Sequence, residues 1–549
     1  MLVLAKATGD QSFGLQRLNG NDQRDNRGAR IDGFTIKSAD TGGGIIANGY
    51  ADYLEISNNR IANNSGAFGG GIRVGHPMLT AEDADGNLTY SDSDNDFVSV
   101  HHNQVVFNGG EGGAGGGISM YTGSDAYQVT QNWVCGNFSL GEGGGIAHFG
   151  RSDGRWVTVP SSGPQSTRVW TLQDVPTIAD NTVIFNESFF QGQTVSGGGI
   201  SISGAPPLTP GALSPGAGNL VVDGNLIQGN SAGAGDGGGI RLAMVNGQDV
   251  AANPANAPRP NGNAGANGPF PWNRVDLFNN MVVNNVAGLA GGGISLQDAV
   301  DVRLVHNTIA NNDSLATAGE AFAAGSPNQS TPQPGAGIVS RAHSTQLTSI
   351  PGATVGTFSN PSAFADNIVW HNRQFYFWVD ATSGCTPGDP ACTSTYGLCP
   401  DLSDALSCPG GNGVVYSDLA VIAPTGTLSC TPSNSCLVGV DPSFVTEYAN
   451  GDKSSVLQIE NTTAIQTPAA FDEGGNFIRP KFGPLSLYDD TAPLGEPGTL
   501  FGNYHVQGAS PAVDAGTDLT GTYPSLKLDF DGQPRPAGLQ VDIGADEVQ

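Results

Sequence analysis

Between residues 77 and 97 the chain gathers Glu82, Asp83, Asp85, Asp92, Asp94 and Asp96, with Asn87 and Asn95 among them. Hard oxygen donors at this density suit Ca2+. Asp83, Asp85, Asp92, Asp94 and Asp96 are therefore candidate metal ligands; the alternative is a solvated acidic loop. Two other long segments carry aromatic groups: Trp156 and Trp170 with Arg151, Asp153, Arg155 and Arg168, then Phe270 and Trp272 with Arg259. An aromatic face is apolar and electron-rich, so Trp156, Trp170, Phe270 and Trp272 could stack against a sugar ring while Arg and Asp orient its hydroxyls. A Trp in a long loop can equally pin that loop to the body.

Acid–base chemistry has its own candidates. Asp180, Asp223, Asp276, Asp301 and Asp366 each stand shortly before an asparagine-rich phrase. Carboxylates on neighbouring turns could reach the separation a glycosidase needs, although these are also common turn and strand-start positions. Arg73 precedes the acidic segment, and a cationic base beside Ca2+-binding acids is what a lyase would use. The histidines do not cluster: His101 and His102 are adjacent, and neighbours in a strand face opposite ways. No Ser-His-Asp or Cys-His set can be assembled. The glycine-rich stretches precede no helix and no Gly-Lys-Ser/Thr, so none cradles a phosphate.

What positions these residues is a phrase that returns eight times. An Asn is followed by an aliphatic pair (or Trp-Val) and by a second Asn five places on. The pairs are Asn59/Asn64, Asn103/Asn108, Asn132/Asn137, Asn181/Asn186, Asn225/Asn230, Asn280/Asn285, Asn307/Asn312 and Asn367/Asn372. Gly-Gly-Gly-Ile stands at 42–45, 69–72, 115–118, 143–146, 197–200, 237–240 and 291–294, and Gly-Ala-Gly-Ile at 335–338. The uninserted period is 27 to 29 residues, too short for a helix pair and enough for a coil of three short strands and three bends. Stacked coils would put like asparagines above one another, each amide donating to one neighbour and accepting from the other. A buried amide without partners costs about 1–3 kcal/mol, which such a column removes. The spacing places Ile61, Val105, Val134, Val183, Ile227, Val282, Ile309 and Ile368 (or immediate neighbours) inside. Trp133 and Trp370 read as packing residues.

These features resemble the right-handed parallel β-helix proteins of the pectin-lyase-like superfamily, and more narrowly bacterial surface proteins with polymorphic-outer-membrane-type repeats. Ile31-Asp-Gly-Phe-Thr-Ile36 resembles an early rung. Gly439-Val-Asp-Pro-Ser-Phe444, Tyr504-His-Val-Gln507, Ser510-Pro-Ala-Val-Asp-Ala-Gly516, Asp529-Phe-Asp-Gly-Gln-Pro-Arg-Pro536 and Val541-Asp-Ile-Gly-Ala-Asp-Glu547 resemble the choice-of-anchor closing segment of such proteins. The resemblance implies fold and cellular setting, not activity, because this fold hosts lyases, hydrolases, adhesins and inert stalks alike. The Asn-Thr-Asp, Asp-Asp, Gly-His-Gly and Arg-Ile-Lys set of its polygalacturonases is not present. The nearest pieces are Gly75-His76-Pro77 and Asp489-Asp490.

The expected fold is all-β: a right-handed parallel β-helix solenoid with Asn ladders, insert loops along one edge and a β-rich, disulfide-containing C-terminal cap. Its parts are residues 1–29, an incomplete N-terminal segment; 30–372, the coil; 373–412, a Cys-rich loop region; and 413–549, a closing module expected to cover the last rung. The long insertions mostly follow the glycine phrase, so they should stack along one edge.

The chain of 549 residues carries 50 acids against 22 bases, a net charge of −28, and no lysine between Lys37 and Lys453. Nucleic acid is excluded as a main partner, since phosphate binding needs clustered cations. No transmembrane run exists. Cys385, Cys392, Cys399, Cys408, Cys430 and Cys436 share one window without Cys-x-x-Cys, which reads as disulfides in an oxidising compartment rather than zinc. Sequential pairing is the simplest connectivity, and Cys135 reads as a buried free thiol. The start lacks an export signal, so the expectation is an N-terminally incomplete extracellular or bacterial cell-surface protein. It would act in adhesion, matrix or surface assembly through its looped edge, with polysaccharide, a surface protein and Ca2+ as possible ligands. The alternative is a secreted polysaccharide lyase or glycoside hydrolase with a groove along the same edge.

Overall fold

The computed structural model describes residues 1–3, 29–77, 80–82, 88–90, 93, 95–150, 156–159, 167–170, 175–190, 193–247, 272–322, 330–350, 355–379, 396–399, 414–448, 450 and 502–548. Each turn of chain contributes a strand before the first Asn of the phrase, one between the two Asn, a two-residue strand after the second, and one after the glycines. In the turn around Asn181 these are Thr177–Ala179, Thr182–Ile184, Glu187–Ser188 and Ile200–Ser203. Like strands pair in parallel, turn upon turn. They form an entry sheet of 9 strands, a ladder sheet of 10, a short sheet of 8 and a glycine-phrase sheet of 10. Ten ladder strands at the usual spacing make a rod about 43 Å long. This is the parallel β-helix solenoid the repeat implies.

Strand alternation sends one residue per strand inward. On the ladder sheet Ile61, Val105, Val134, Val183, Ile227, Val282, Ile309 and Val369 follow one another in register. They join Ile72, Ile118, Ile146, Ile200, Ile240, Ile294 and Ile338 of the glycine-phrase sheet in one core along the rod. Burying each such side chain contributes about 1.5–3 kcal/mol. The register decides between Ile368 and its neighbour. Ile368 pairs with Thr308, not Ile309, so Val369 points inward and Ile368 outward. A one-residue slip exchanges the faces of a strand.

Both asparagine columns are continuous. Nδ2 of each member donates to Oδ1 of the next, from Asn59 to Asn367 in the first column and from Asn64 to Asn372 in the second. Asn230 shows the full pattern. Its Oδ1 accepts from Asn186 N and Nδ2, both at 3.0 Å, and its Nδ2 donates to Val183 O and Asn285 Oδ1, both at 2.9 Å. All four hydrogen-bonding positions of the amide are used. The second column ends on a carboxylate: Asp418 Oδ1 accepts Asn372 Nδ2 at 2.8 Å and Asn372 N at 3.1 Å. A terminal member need only accept, so an acid fits there.

The residue before each ladder Asn is left-handed. Before the first column these are Asn58, His102, Gln131, Asp180, Gly224, Asn279, His306 and Asp366, with φ between 52° and 64°. Asn, Asp, His and Gly tolerate this region best. The glycine phrase answers a different need. Gly143 has φ +71°, a Cβ on Gly144 would lie 2.4 Å from Glu187 backbone, and one on Gly145 would lie 2.6 Å from Gly199 O and 2.8 Å from Val183 Cγ1. Close approach of successive turns, rather than bending alone, requires the triplet.

The C-terminal part closes the coil in two places. Leu419–Ile422 and Leu437–Val438 add a last turn to the glycine-phrase and ladder sheets. Between them the Cys430–Cys436 disulfide, with S–S 2.12 Å, puts Leu428 and Cys430 on the end of the core. Thr431 N donates to Phe364 O, and Asp366 N to Ser435 O, so this loop occupies the place of a further entry strand. Cys399 is also disulfide-bonded; Cys385, Cys392 and Cys408 lie outside the described residues. Cys135 is a free thiol, half-buried, with its pKa pushed up to about 11 by burial.

Of the closing module, residues 414–438 thus take the end of the coil, while residues 502–548 lie along the flank. Phe444, Tyr504, Val506, Ala512, Ile543 and Ala545 pack on outward Met281, Val283, Ala310 and Ile368. Leu526 packs on Phe278 and Val305. The cause is legible in the outward ladder positions. They are polar or exposed at Arg60, Gln104 and Trp133, and turn apolar at Leu226, Met281 and Ile368. Trp133 is thus 44% exposed rather than packed, whereas Trp370 meets the closing segment and its Nε1 donates to Glu447 at 3.1 Å.

Candidate functional site

Most of the insert loops leave the glycine-phrase sheet and re-enter at the entry sheet, at the same corner of the turn. Thr80–Glu82 and Leu88–Tyr90 form a hairpin in the acidic loop. Tyr90 Oη donates to Pro206 O of another insert at 2.9 Å, so inserts from separate turns touch. A second hairpin pairs Trp156 with Trp170 and Val159 with Thr167 in register. Trp272 is half-buried, two residues before the entry strand Arg274–Phe278. Phe270 and the acids Asp83, Asp85, Asp92 and Asp94 lie outside the described residues. Asp96 is buried at the loop base, its N–H donating to Asp52 Oδ1 at 3.0 Å. Asn95 is spent on structure: its Oδ1 accepts Ala51 N at 3.1 Å and its Nδ2 donates to Ser93 Oγ at 2.9 Å.

The acid–base candidates are spread through the flank rather than gathered. Asp276 points outward between Arg274, at 3.2 Å, and Arg303 of the next turn, at 3.8 Å. Burial raises its pKa, and the two guanidiniums oppose the rise. Asp301 accepts Ser362 Oγ at 2.5 Å. Asp180 and Asp366 are left-handed bend residues. Asp366 is fully buried beside His306, 3.7 Å from its Nε2, and accepts Thr517 N at 3.0 Å. Burial pushes its pKa up to about 7, and burial holds His306 well below the usual histidine range.

Asp223 has the environment nearest to a general acid. Burial pushes its pKa up to about 7; the Asn279 amide, donating at 2.9 Å, and Arg535 act against the rise, while Asp180 and Asp276 add to it. Arg535 itself is buried and donates to Asn279 Oδ1 at 2.7 Å, so this corner faces the closing segment. Asp223→Asn isolates the carboxyl. Its folded pKa stands above the unfolded value of about 3.9, so the folded state holds the proton between about pH 4 and pH 7. Over that window its contribution to stability falls as pH rises. The variant should match wild type near pH 4 in thermal unfolding and gain on it up to pH 8. An offset independent of pH contradicts this.

Arg73 lies outward on Ile72–Val74, half-buried, with Nη2 donating to Asn48 Oδ1 at 3.2 Å. Burial lowers its pKa. The acids that would make it lyase-like are the undescribed ones of the adjoining loop. Arg241, the residue after isoleucine in its glycine phrase, leaves the coil but is 6% exposed. It sits between Ser201 and Ser295 in register, donates to Ser295 Oγ at 2.7 Å and to Gln297 Oε1 at 2.5 Å, and shares Asp236 with Arg341. Glu142 accepts Ser201 Oγ at 2.9 Å, and burial raises its pKa. This network was missed because its members come from five separate turns. The outward column after the glycine phrase, with serines beside an arginine, was the available signal.

The closing motif is explained by backbone demand. With little sheet to satisfy its amides, carboxylates take the place of carbonyls. Asp529 accepts from Asp531 N, Gln533 N and Glu547 N. Asp542 accepts from Asp514 N and Val548 N, and Glu547 from Ala537 N and Asp542 N. Arg535 neutralises Glu547 at 3.1 Å with both side chains fully buried. In the same segment His505, Asp531 and Asp546 bring one ligand atom each within 4.8 Å of one another.

Fold and site together define a parallel β-helix solenoid with a looped edge and a closing segment docked on its flank. Comparison with family models, curated proteins and solved structures finds no match to this chain.

Proposed function

We propose that this chain is an extracellular or cell-surface β-helix protein, of the kind with polymorphic-outer-membrane-type repeats and a choice-of-anchor-like end. It acts in adhesion, matrix or surface assembly through the loops on one edge, with polysaccharide and Ca2+ as the ligands those loops would take. The observation that carries this reading is the employment of the acids. Asp276 is held between two arginines, Asp366 binds the closing segment, and Asp223 faces Asn279 and Arg535. Contact between inserts of separate turns supports a continuous loop surface. The Cys430–Cys436 bond supports an oxidising compartment. Among the described residues no helix is long and apolar enough to cross a membrane.

A second reading, a secreted polysaccharide lyase or glycoside hydrolase, is favoured by the raised pKa of Asp223, suited to a general acid. Incubation with acidic and neutral polysaccharides, with and without Ca2+, separates the two. The first reading expects binding without turnover. New reducing ends or unsaturated uronates, lost in Asp223→Asn, would establish the second.

A further inference from the structure

The strand Asn503–Val506 runs antiparallel to Phe444–Thr446 and carries His505. Asn503 Oδ1 accepts the backbone N–H of His505 at 3.1 Å and also faces its Nδ1. Because a backbone N–H can only donate, that Asn503 atom is an oxygen, and Nδ1 must carry the ring proton. Nε2 then faces Asp531 Oδ2 at 3.0 Å, with an Asp546 oxygen also within 4.8 Å.

In the neutral ring, three lone pairs converge with no donor among them. Among the described residues, His505 is the only basic side chain paired with either carboxylate. Asp546 is 7% exposed and is fixed by Val506 N, which donates to its Oδ2 at 3.1 Å. The backbone of Asp531 is held by the turn in which Asp531 N and Gln533 N both donate to Asp529 Oδ1, and its carboxylate meets His505. His505 and Asp546 are therefore aimed before anything binds, and Asp531 stands on a fixed backbone beside them.

We infer that His505 Nε2, Asp531 and Asp546 form a site for one first-row divalent cation, Zn2+ or Mn2+, which clamps the closing segment. Metal–ligand bonds of about 2.0–2.2 Å put neighbouring ligands of an octahedral shell about 3 Å apart, the separation of His505 from Asp531. A ligating histidine usually has its other ring nitrogen held by an acceptor, as Asn503 does here. One imidazole with two carboxylates suits Zn2+ or Mn2+ better than Ca2+. His505 and Asp531 side chains are 32% and 38% exposed, which gives the ion a path in and leaves positions for water. The cation would join three segments that share little sheet: the strand at 503–506, the turn at 529–533 and the chain at 546. This role is independent of what the edge loops bind.

The test uses the full chain without a histidine tag, stripped of metal and titrated with Zn2+ and separately with Mn2+, with bound metal counted after dialysis. Asp531→Asn, His505→Ala and the exposed control Asp518→Asn are compared with wild type, so that any uptake by the acidic loop cancels. The expected result is one more equivalent in wild type and in Asp518→Asn than in the two site variants, with affinity at this site lowered more than about tenfold in both. No uptake between pH 6 and 8, or uptake equal in all four proteins, overturns the inference and leaves a hydrogen bond between His505 and Asp531.

Discussion

Asn230→Asp should cost the coil about 3–5 kcal/mol at pH 7, although it exchanges one atom for another of nearly equal size. The carboxylate can still accept from Asn186 N and Nδ2. It cannot donate, so Val183 O and Asn285 Oδ1 lose the amide hydrogens that reach them at 2.9 Å. Asn230 is 0% exposed, so water cannot replace them. Each buried group left short costs about 1–3 kcal/mol, and a new charge in the same place adds a desolvation penalty or takes up a proton. Denaturant unfolding measures the loss. A change below about 1 kcal/mol would mean that the column is decorative and that stacked aliphatics alone hold the turns together.

Arg535→Ala should release the closing segment while leaving the coil intact. The guanidinium joins Glu547 at 3.1 Å, Asn279 Oδ1 at 2.7 Å and the carbonyls of Gly544 and Ala545. Removing it strands a fully buried carboxylate. Loss of one partner of a buried pair costs about 3–5 kcal/mol. That corresponds to amide exchange about a hundredfold or more faster at Tyr504 and Val506, with Val222, Val282 and the ladder amides unchanged because their bonds lie wholly within the coil. Arg535→Lys keeps the charge and loses the fork, so it should fall between. Hydrogen exchange read by segment decides the matter. Equal acceleration in coil and flank would show that the two are one cooperative unit, contrary to this account.

The coil was legible because its determinants are local and repeated. A five-residue interval between asparagines, held eight times, specifies which amide stacks on which, and the glycine triplets mark where successive turns touch. The same regularity settles the last interior position. In Asn367-Ile-Val-Trp-His-Asn372 both Ile368 and Val369 are apolar, but the inward residue stands two places after its Asn in every earlier turn, which gives Val369. The flank was not legible from local pattern. Arg535 meets Asn279 across 256 residues, and its motif reads as a closing segment without saying which face it closes. The drift of outward ladder residues from Arg60 and Gln104 to Met281 and Ile368 was the signal available.

The sites divide along the same line. Asp223 and Asp276 were found as residues before the ladder, yet Asn279, Arg303 and Arg535, which act on them, come from other turns and from the closing segment. Asp531, Asp546 and His505 stood in three separate motifs, and nothing local joined them. Carboxylates that serve backbone amides and carboxylates that serve chemistry look alike in one dimension; their donors tell them apart.

The polarity of the second ladder is the most exposed consequence of the account. Every interior amide both accepts and donates, and only the last member, Asp418, needs to accept alone. Unfolding free energies of Asn230→Asp and Asp418→Asn, measured side by side at pH 7, test this directly, because the two substitutions are chemical opposites in one column. The stacked-amide account predicts a loss of about 3–5 kcal/mol for the first and a change of about 1 kcal/mol or less for the second. Equal effects, or a tolerated Asn230→Asp, would contradict it.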